Sequence, residues 1–394
     1  MWLGGAGMRP FSAPPGLQEA RETSTAASQP PHVSLLDPAE LTTRHLAAWR
    51  NFQHLSPALE SPYLTPEFLR IAARVRPGVQ VAVAEEGRGI AGFFPFERRR
   101  GDIGRPVGGP FSDVQAVLAA PWWDWDPRQF VRAAGLSVYD FTFQRMEQRP
   151  FCPFARAKKV SHTIDLSRGF DAYVAECREQ ARGRAALSSG LPHQTLARAR
   201  KLARQFGPLR FTMHEPDPAV LRLVLRWKSA QYRRTGLFDA FALRWTTELL
   251  ERIHATQTET FAGVLSTLSV GDRVVAGHMG MRSASVLHWW FPSYDVACAK
   301  FSPGHVLLME ACRHAATHGI RTIELGEANE YYKLLVTNAG VEVGAGFVGL
   351  PSLPDQLRRM RHGTVTLAER LPIGPFRQWP GKLFRRIDRI NRFR

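Results

Sequence analysis

Cysteine is scarce. Only Cys152, Cys177, Cys298 and Cys312 occur in 394 residues, with no CxxC pair and no histidine at ligand spacing. That pattern argues against a disulfide framework and a zinc site, so no metal is expected and a reducing cytoplasm fits best. HExxH, P-loop and GxSxG motifs are all missing, and the His and Asp residues are dispersed. No run approaches the ~18 consecutive apolar residues of a membrane-spanning helix, so the chain reads as soluble or at most peripheral. The Gly-, Ala-, Ser- and Pro-rich start lacks a basic segment followed by an apolar one, so residues 1–33 read as a disordered tail rather than a signal peptide. Acidic residues are also in deficit, 35 against 52 Lys and Arg, for a net charge of +17. An anionic partner follows: a phosphorylated cofactor, a nucleic acid or a membrane surface. Charge alone does not choose among them.

What is present is enough for a large core: 44% of the residues are hydrophobic, and the length suits two domains. Two segments hold most of the excess charge. Residues 177–210 carry eight basic residues against one acidic, and residues 351–394 carry eleven against three. Periodicity predicts helices over 41–52 and 66–74, the second with Thr65 as N-cap and Pro66 at its first position. Strands over 79–84 and 90–96 form a hairpin, and a helix at 127–135 precedes a strand at 137–143. Further on come helices at 218–234 and 243–255, then strands at 260–270, 273–282 and 285–291. A helix from Ser302-Pro303-Gly304 to His318, a stop at Gly319 and a strand at 322–325 complete the pattern. The fold class expected is α/β, as two tandem units, each a central mixed or antiparallel sheet flanked by helices. They span residues 34–165 and 166–350, with a basic tail at 351–394.

Three segments carry chemistry. The helix opening at Ser302, Pro303, Gly304 and His305 would expose unpaired N–H groups to a pyrophosphate, although the same residues also make a routine helix start. The strand ending at Gly326 leads into Glu327 and Tyr331-Tyr332-Lys333, at the strand end where ligands of open α/β sheets bind. Glu327 could act as a base and Tyr331 or Tyr332 as an acid there; the plain alternative is a solvated turn with Lys333 paired to Glu330. On the helix at 218–234, Lys228, Gln231 and Tyr232 share one face with Trp227 at its edge and Asp239 following. That face could line a substrate pocket, to which Trp290 and Tyr294 are also assigned, or be a helix surface of mixed polarity.

The order Trp227-Lys228 … Gln231-Tyr232 … Thr235-Gly236, then Phe238-Asp239, then Leu287-His288-Trp289-Trp290-Phe291 … Tyr294-Asp295, then Phe301-Ser302-Pro303-Gly304-His305, then Leu325-Gly326 … Tyr331-Tyr332-Lys333 resembles the CelD-like acyltransferases of the GNAT superfamily. In the first half, Ser61 to Phe68, Gly92 to Phe96 and Gly108 to Asp113 are similar to further pieces of that pattern. The resemblance covers roughly residues 40–350. The chain departs from the commoner GNAT signature Q/RxxGxG/A. The resemblance implies tandem GNAT-like domains related to the Fem transferases, with acyl-CoA as co-substrate and a small-molecule or saccharide acceptor, as in polysaccharide or envelope biosynthesis. The pantetheine arm would enter between splayed strands at 285–291 and 322–325, along Trp289, with its pyrophosphate at Ser302, Pro303, Gly304 and His305. Transfer would use Glu327 as first base candidate and His288 as second, with Tyr332 and Lys333 as further catalytic residues. A backbone N–H at Trp289 or Trp290 would receive the oxyanion, while His278 reads as a satisfied sheet histidine. Two alternatives stand beside this reading. One is a Fem-like aminoacyl-tRNA-dependent transferase, whose helical hairpin would be residues 170–206 and whose basic segments would grip tRNA. The other is a non-enzymatic accessory protein of polysaccharide synthesis, held at a membrane by the Arg- and aromatic-rich run 375–394, for which a solvated basic tail is the plain alternative.

Overall fold

The computed structural model describes residues 31–182, 191–327 and 331–352, with Gln356 and Arg358. The expected N-terminal tail up to residue 30 and the run 375–394 lie outside the described residues. Strands β1 (His32–Leu36), β2 (Val79–Glu86), β3 (Gly89–Arg99), β4 (Ile103–Arg105), β5 (Leu118–Ala119), β6 (Val138–Arg145) and β7 (Ala155–Asp165) come from the first half. The second half supplies β8 (Leu209–Thr212), β9 (Ala262–Val270), β10 (Arg273–Arg282), β11 (Val286–Tyr294), β12 (Thr322–Gly326) and β13 (Ala339–Gly349). Helices are α1 (Thr43–Leu55), α2 (Pro66–Val75), α3 (Pro127–Ala133), α4 (Phe170–Arg182), α5 (Leu191–Phe206), α6 (Pro218–Arg234), α7 (Arg244–Ala255), α8 (Pro303–Thr317) and α9 (Tyr331–Val336). Local signals act as expected: the Thr65 hydroxyl accepts the Phe68 N–H at 3.2 Å to open α2, and Gly319, at φ +79°, follows the end of α8.

All thirteen strands join one mixed sheet, ordered β1-β2-β3-β4-β6-β13-β7-β12-β11-β10-β9-β8, with β5 beside β3. The α/β architecture with helices flanking the sheet is as the sequence predicts. The central connection is not: β13, the last strand, runs antiparallel to both β6 and β7 and lies between them. The two halves therefore share their middle strands. Propensity hides this. β13 is rich in glycine, and a Cβ at Gly346 would meet the Phe154 carbonyl oxygen at 2.1 Å, so close backbone approach overrides poor strand preference. β7 begins Ala-Arg-Ala-Lys-Lys, residues exposed on both faces.

The same register opens the sheet. β11 and β12 run parallel for three pairs only, ending at His288 opposite Glu324, and β12 leaves β7 at Gly326 opposite His162. Beyond that point β11 continues to Tyr294 and β7 back to Ala155, with no described strand between them. β11 and β12 are the pair expected to splay.

Apolar side chains from α1, α2, α6 and α7 pack one core around Trp49, Phe68, Phe93 and Phe291, while α8 closes a second around Leu307, Leu308, Trp289 and Ile323. The halves also meet through Phe111, whose ring lies 5.5 Å from those of Trp245, Trp290 and Phe291. Behind it the Arg76 guanidinium sits 4.2 Å over Trp245 and 3.1 Å from the carboxylate of the fully buried Glu97. Burial raises the pKa of Glu97 even against this cation. Its other oxygen accepts the N–H of Gly108 at 2.8 Å, where φ of +85° turns the chain toward Asp113. Among the described residues no helix is long and apolar enough to cross a membrane.

Arg99 also reaches the Glu97 carboxylate, so removing Arg76 takes away one of two cations and its hydrogen bonds to a charged group. Arg76→Met should therefore lower unfolding free energy in urea by about 2 kcal/mol; a loss below about 0.5 kcal/mol, the level of an ordinary surface substitution, would show that Glu97 does not depend on it.

Candidate active site

At the point where β11 and β12 part, β11 contributes His288 and β12 contributes Glu324, both side chains almost wholly removed from solvent. A carboxylate in a strand flanked by Ile323 and Leu325 needs partners to remain charged. It has three. Ser61 Oγ donates to Oε2 at 2.8 Å, His288 Nδ1 lies 3.7 Å away, and Arg145 on β6 approaches Oε1 at 3.6 Å. On its other side, His288 Nε2 lies 3.2 Å from Asp113 Oδ2. The Tyr63 ring stands edge-on to the imidazole at 4.8 Å.

These groups come from separate places. Ser61 and Tyr63 precede α2, Asp113 ends the loop positioned by Glu97, and β11 and β12 belong to the second half. Asp113 is the member that reaches solvent, with its side chain 24% exposed. It stands at the end of β12, where a Cβ on Gly326 would come within 3.2 Å of its carboxylate. Burial pushes the His288 pKa down, but the attraction of the Asp113 and Glu324 carboxylates beside it outweighs burial and holds the imidazole above its ordinary 6.5. For Glu324, burial pushes up while His288, Arg145 and Ser61 pull down, and the carboxyl ends below its ordinary 4.5. The cluster is thus a row in which an imidazole lies between two carboxyl groups, with its charged form favoured.

The other sequence-nominated residues distribute as follows. Glu327 is at the mouth, 28% exposed and ion-paired to Lys159 at 2.6 Å. Lys333 is buried and donates to the Leu325 carbonyl at 2.6 Å, rather than facing solvent as in the plain turn reading. The side chain of Tyr332, like that of Tyr331, lies outside the described residues. The α6 face divides in two. Trp227 and Gln231 line a cavity with Ser293, Tyr294 and Asp295, whereas Lys228 turns inward, donating to the Pro292 carbonyl at 3.0 Å, and Tyr232 stacks on Phe241. Asp239 accepts from Ser229 Oγ at 2.6 Å and caps the turn at Phe241, so its bonds are local. Trp290 is half-buried, its ring 5.9 Å from that of His288.

Trp289 is buried in the second core, and Ser302, Pro303, Gly304 and His305 form the start of α8. Ser302 has left-handed backbone at φ +49° and makes no side-chain cap, Gly304 faces the Tyr294 ring, and His305 Nδ1 meets Arg198 of α5 at 3.5 Å. One expectation needs correction. The Trp290 N–H donates to His278 Nε2 at 3.1 Å, so this amide is already bonded and does not await an oxyanion.

Sequence reasoning missed Ser61, Tyr63, Asp113, Arg145 and Glu324. Ser61, Tyr63 and Asp113 lay within resembling segments that had been given no role. The available signal for Glu324 was a single acid in an apolar strand.

The linkage signs are opposite for the two buried groups. The raised His288 pKa contributes stability that is complete below pH 6.5 and lost as pH rises through the folded-state value. The lowered Glu324 pKa contributes stability that is complete above pH 4.5 and lost as pH falls through its folded-state value. In thermal melts, the gap in midpoint between wild type and His288→Gln should be widest near pH 6 and narrow toward pH 9. A gap independent of pH would contradict a charged His288.

Residues 193–334, from within α5 to within α9, match the family model described as an acetyltransferase (GNAT) domain. A comparison with curated proteins gives no match. Among solved structures, FemX is similar at 8% identity over 84% of this chain and 100% of its own, with a TM-score of 0.55. The C-terminal DUF2156 domain of an Agrobacterium fabrum protein is similar at 11% identity over 84% and 97%, with a TM-score of 0.49. A tandem GNAT protein from the clavulanic acid biosynthesis pathway is similar at 11% identity over 82% and 99%, with a TM-score of 0.46. The segment that carries β11, α8 and β12 is thus similar to a GNAT acetyltransferase domain, and 84% of the chain shares the fold of FemX.

Proposed function

We propose that this protein is an acyltransferase of GNAT type that moves an acyl group from acyl-CoA to an amine or hydroxyl acceptor at the junction of its halves. The observation that carries this reading is the end of β11–β12 pairing at His288 and Glu324, directly beside a buried proton-handling group. The pantetheine arm would lie along β11 in the opening, and the pyrophosphate would face the first N–H groups of α8 near Gly304. Arg198, which reaches His305 from α5, adds positive charge there.

In the reaction the acceptor nitrogen or oxygen attacks the thioester carbonyl, the C–S bond breaks, and CoA leaves as thiolate. Asp113, the solvent-reaching member of the row, takes the acceptor proton, while His288 and Glu324 hold its carboxylate in place. Glu327, neutralised by Lys159, is the mouth residue and the competing base. No metal enters the scheme, and the acceptor is a small molecule or a saccharide.

A second reading is favoured by one observation. α5 carries Arg198, Arg200, Lys201 and Arg204, and together with α4 it makes a helical pair within a FemX-like fold. An aminoacyl-tRNA could then supply the acyl group in place of CoA.

Turnover with acetyl-CoA and an amine panel, followed by thiol release, tests both readings. Asp113→Asn should lower kcat by about 100-fold, the usual scale of a lost general base, with KM for acetyl-CoA little changed. Glu327→Gln should retain most activity. Wild-type enzyme that ignores acetyl-CoA but binds bulk tRNA with steep salt dependence would replace the first reading by the second.

A further inference from the structure

His278, in the middle of β10, is fully buried and has no part in the row of Asp113, His288 and Glu324. Its ring stacks on Trp289 at 3.6 Å and 7°. Nε2 accepts the Trp290 N–H at 3.1 Å, which places the ring proton on Nδ1, 3.1 Å from Ser266 Oγ. Burial, with His288 nearby, drives its pKa well below the ordinary value, so the ring is neutral.

Its place in the sheet gives these bonds a purpose. Met279 pairs with Phe291 but Met281 pairs with His288, so Trp289 and Trp290 both stand opposite Gly280. This is a β-bulge, and a bulge leaves ladder groups unpaired. His278 satisfies one of them. Only glycine fits opposite, because a Cβ at Gly280 would meet the His288 carbonyl oxygen at 2.2 Å and His278 Nε2 at 2.6 Å. Downstream, the adjacent Trp290 and Phe291 stack on each other at 4.8 Å and both meet Phe111. In a regular strand they would face opposite sides.

We propose that His278 is a positioning residue of the acyl-transfer site: by holding the Trp290 N–H it fixes the bulge, and through it the course of β11 along the opening and the placement of His288 and Trp290. The inference rests on the acyl-CoA reading. His278 itself touches no substrate.

The test compares wild type, His278→Gln and His278→Leu in acetyl-CoA turnover, alongside ¹⁵N NMR of the ring and of the Trp290 amide. Gln can still accept the N–H through its side-chain oxygen, whereas Leu cannot. His278→Leu should lose about tenfold or more in kcat/KM, as expected when reacting groups are displaced by a fraction of an ångström. His278→Gln should recover most of that loss. Wild-type NMR should show the Nδ1-protonated tautomer from pH 5 to 8. A folded Leu variant with wild-type kcat/KM, a Gln variant as poor as Leu, or a ring titrating near 6.5 would each overturn the proposal. Should Leu fail to fold, the Gln variant and the wild-type tautomer still decide. Wild-type protein inactive with acetyl-CoA would instead overturn the acyl-CoA reading, and this role with it.

Discussion

The placement of His288 between two carboxylates is the interaction on which the rest of this structure turns. Glu324 comes from the strand beside it, while Asp113 and the Ser61 that holds Glu324 come from the other half of the chain. A buried ion row of this kind is costly to form and more costly to break. Breaking it would separate Ser61, Asp113 and Arg145 from the two strands they face. Apolar contacts at Phe111 and the stacking of Arg76 on Trp245 supply the cohesion around it.

The shortness of β12 does complementary work. A strand of five residues, set between a nine-residue β11 and an eleven-residue β7, leaves part of the facing edge of each neighbour unpaired. The sheet must open there, and the βαβ crossover through α8 puts a helix start at the same end. Ligands of α/β sheets collect outside such strand ends because backbone groups are unpaired and side chains from several elements converge. Here the converging side chains are acidic and imidazole, with the Lys159–Glu327 ion pair just past the end of β12.

Much of the second half was legible because local signals and tertiary outcome agree. The start of α6 at Pro218 and the Pro303 to Gly319 frame of α8 are both set within a few residues. β7 and β13 were illegible for the converse reason. A basic run and a glycine-rich run become central strands only because each is the other's partner, about 180 residues away in sequence. The candidate site shows the same divide. His288 could be nominated from its own segment, but Asp113 and Ser61 acquire meaning only once the halves share a sheet. The α6 face failed as a unit because a helix presents neighbouring residues to different surroundings, so Lys228 reached a strand carbonyl while Gln231 reached a cavity.

The proposed acyl donor would occupy the opening beside β11, above His288. A crystal structure of the protein with coenzyme A tests it most directly. The pantetheine chain should lie between β11 and the end of β12, and the pyrophosphate at the first turn of α8. Coenzyme A bound elsewhere on the molecule, or absent from crystals soaked at millimolar concentration, would contradict it.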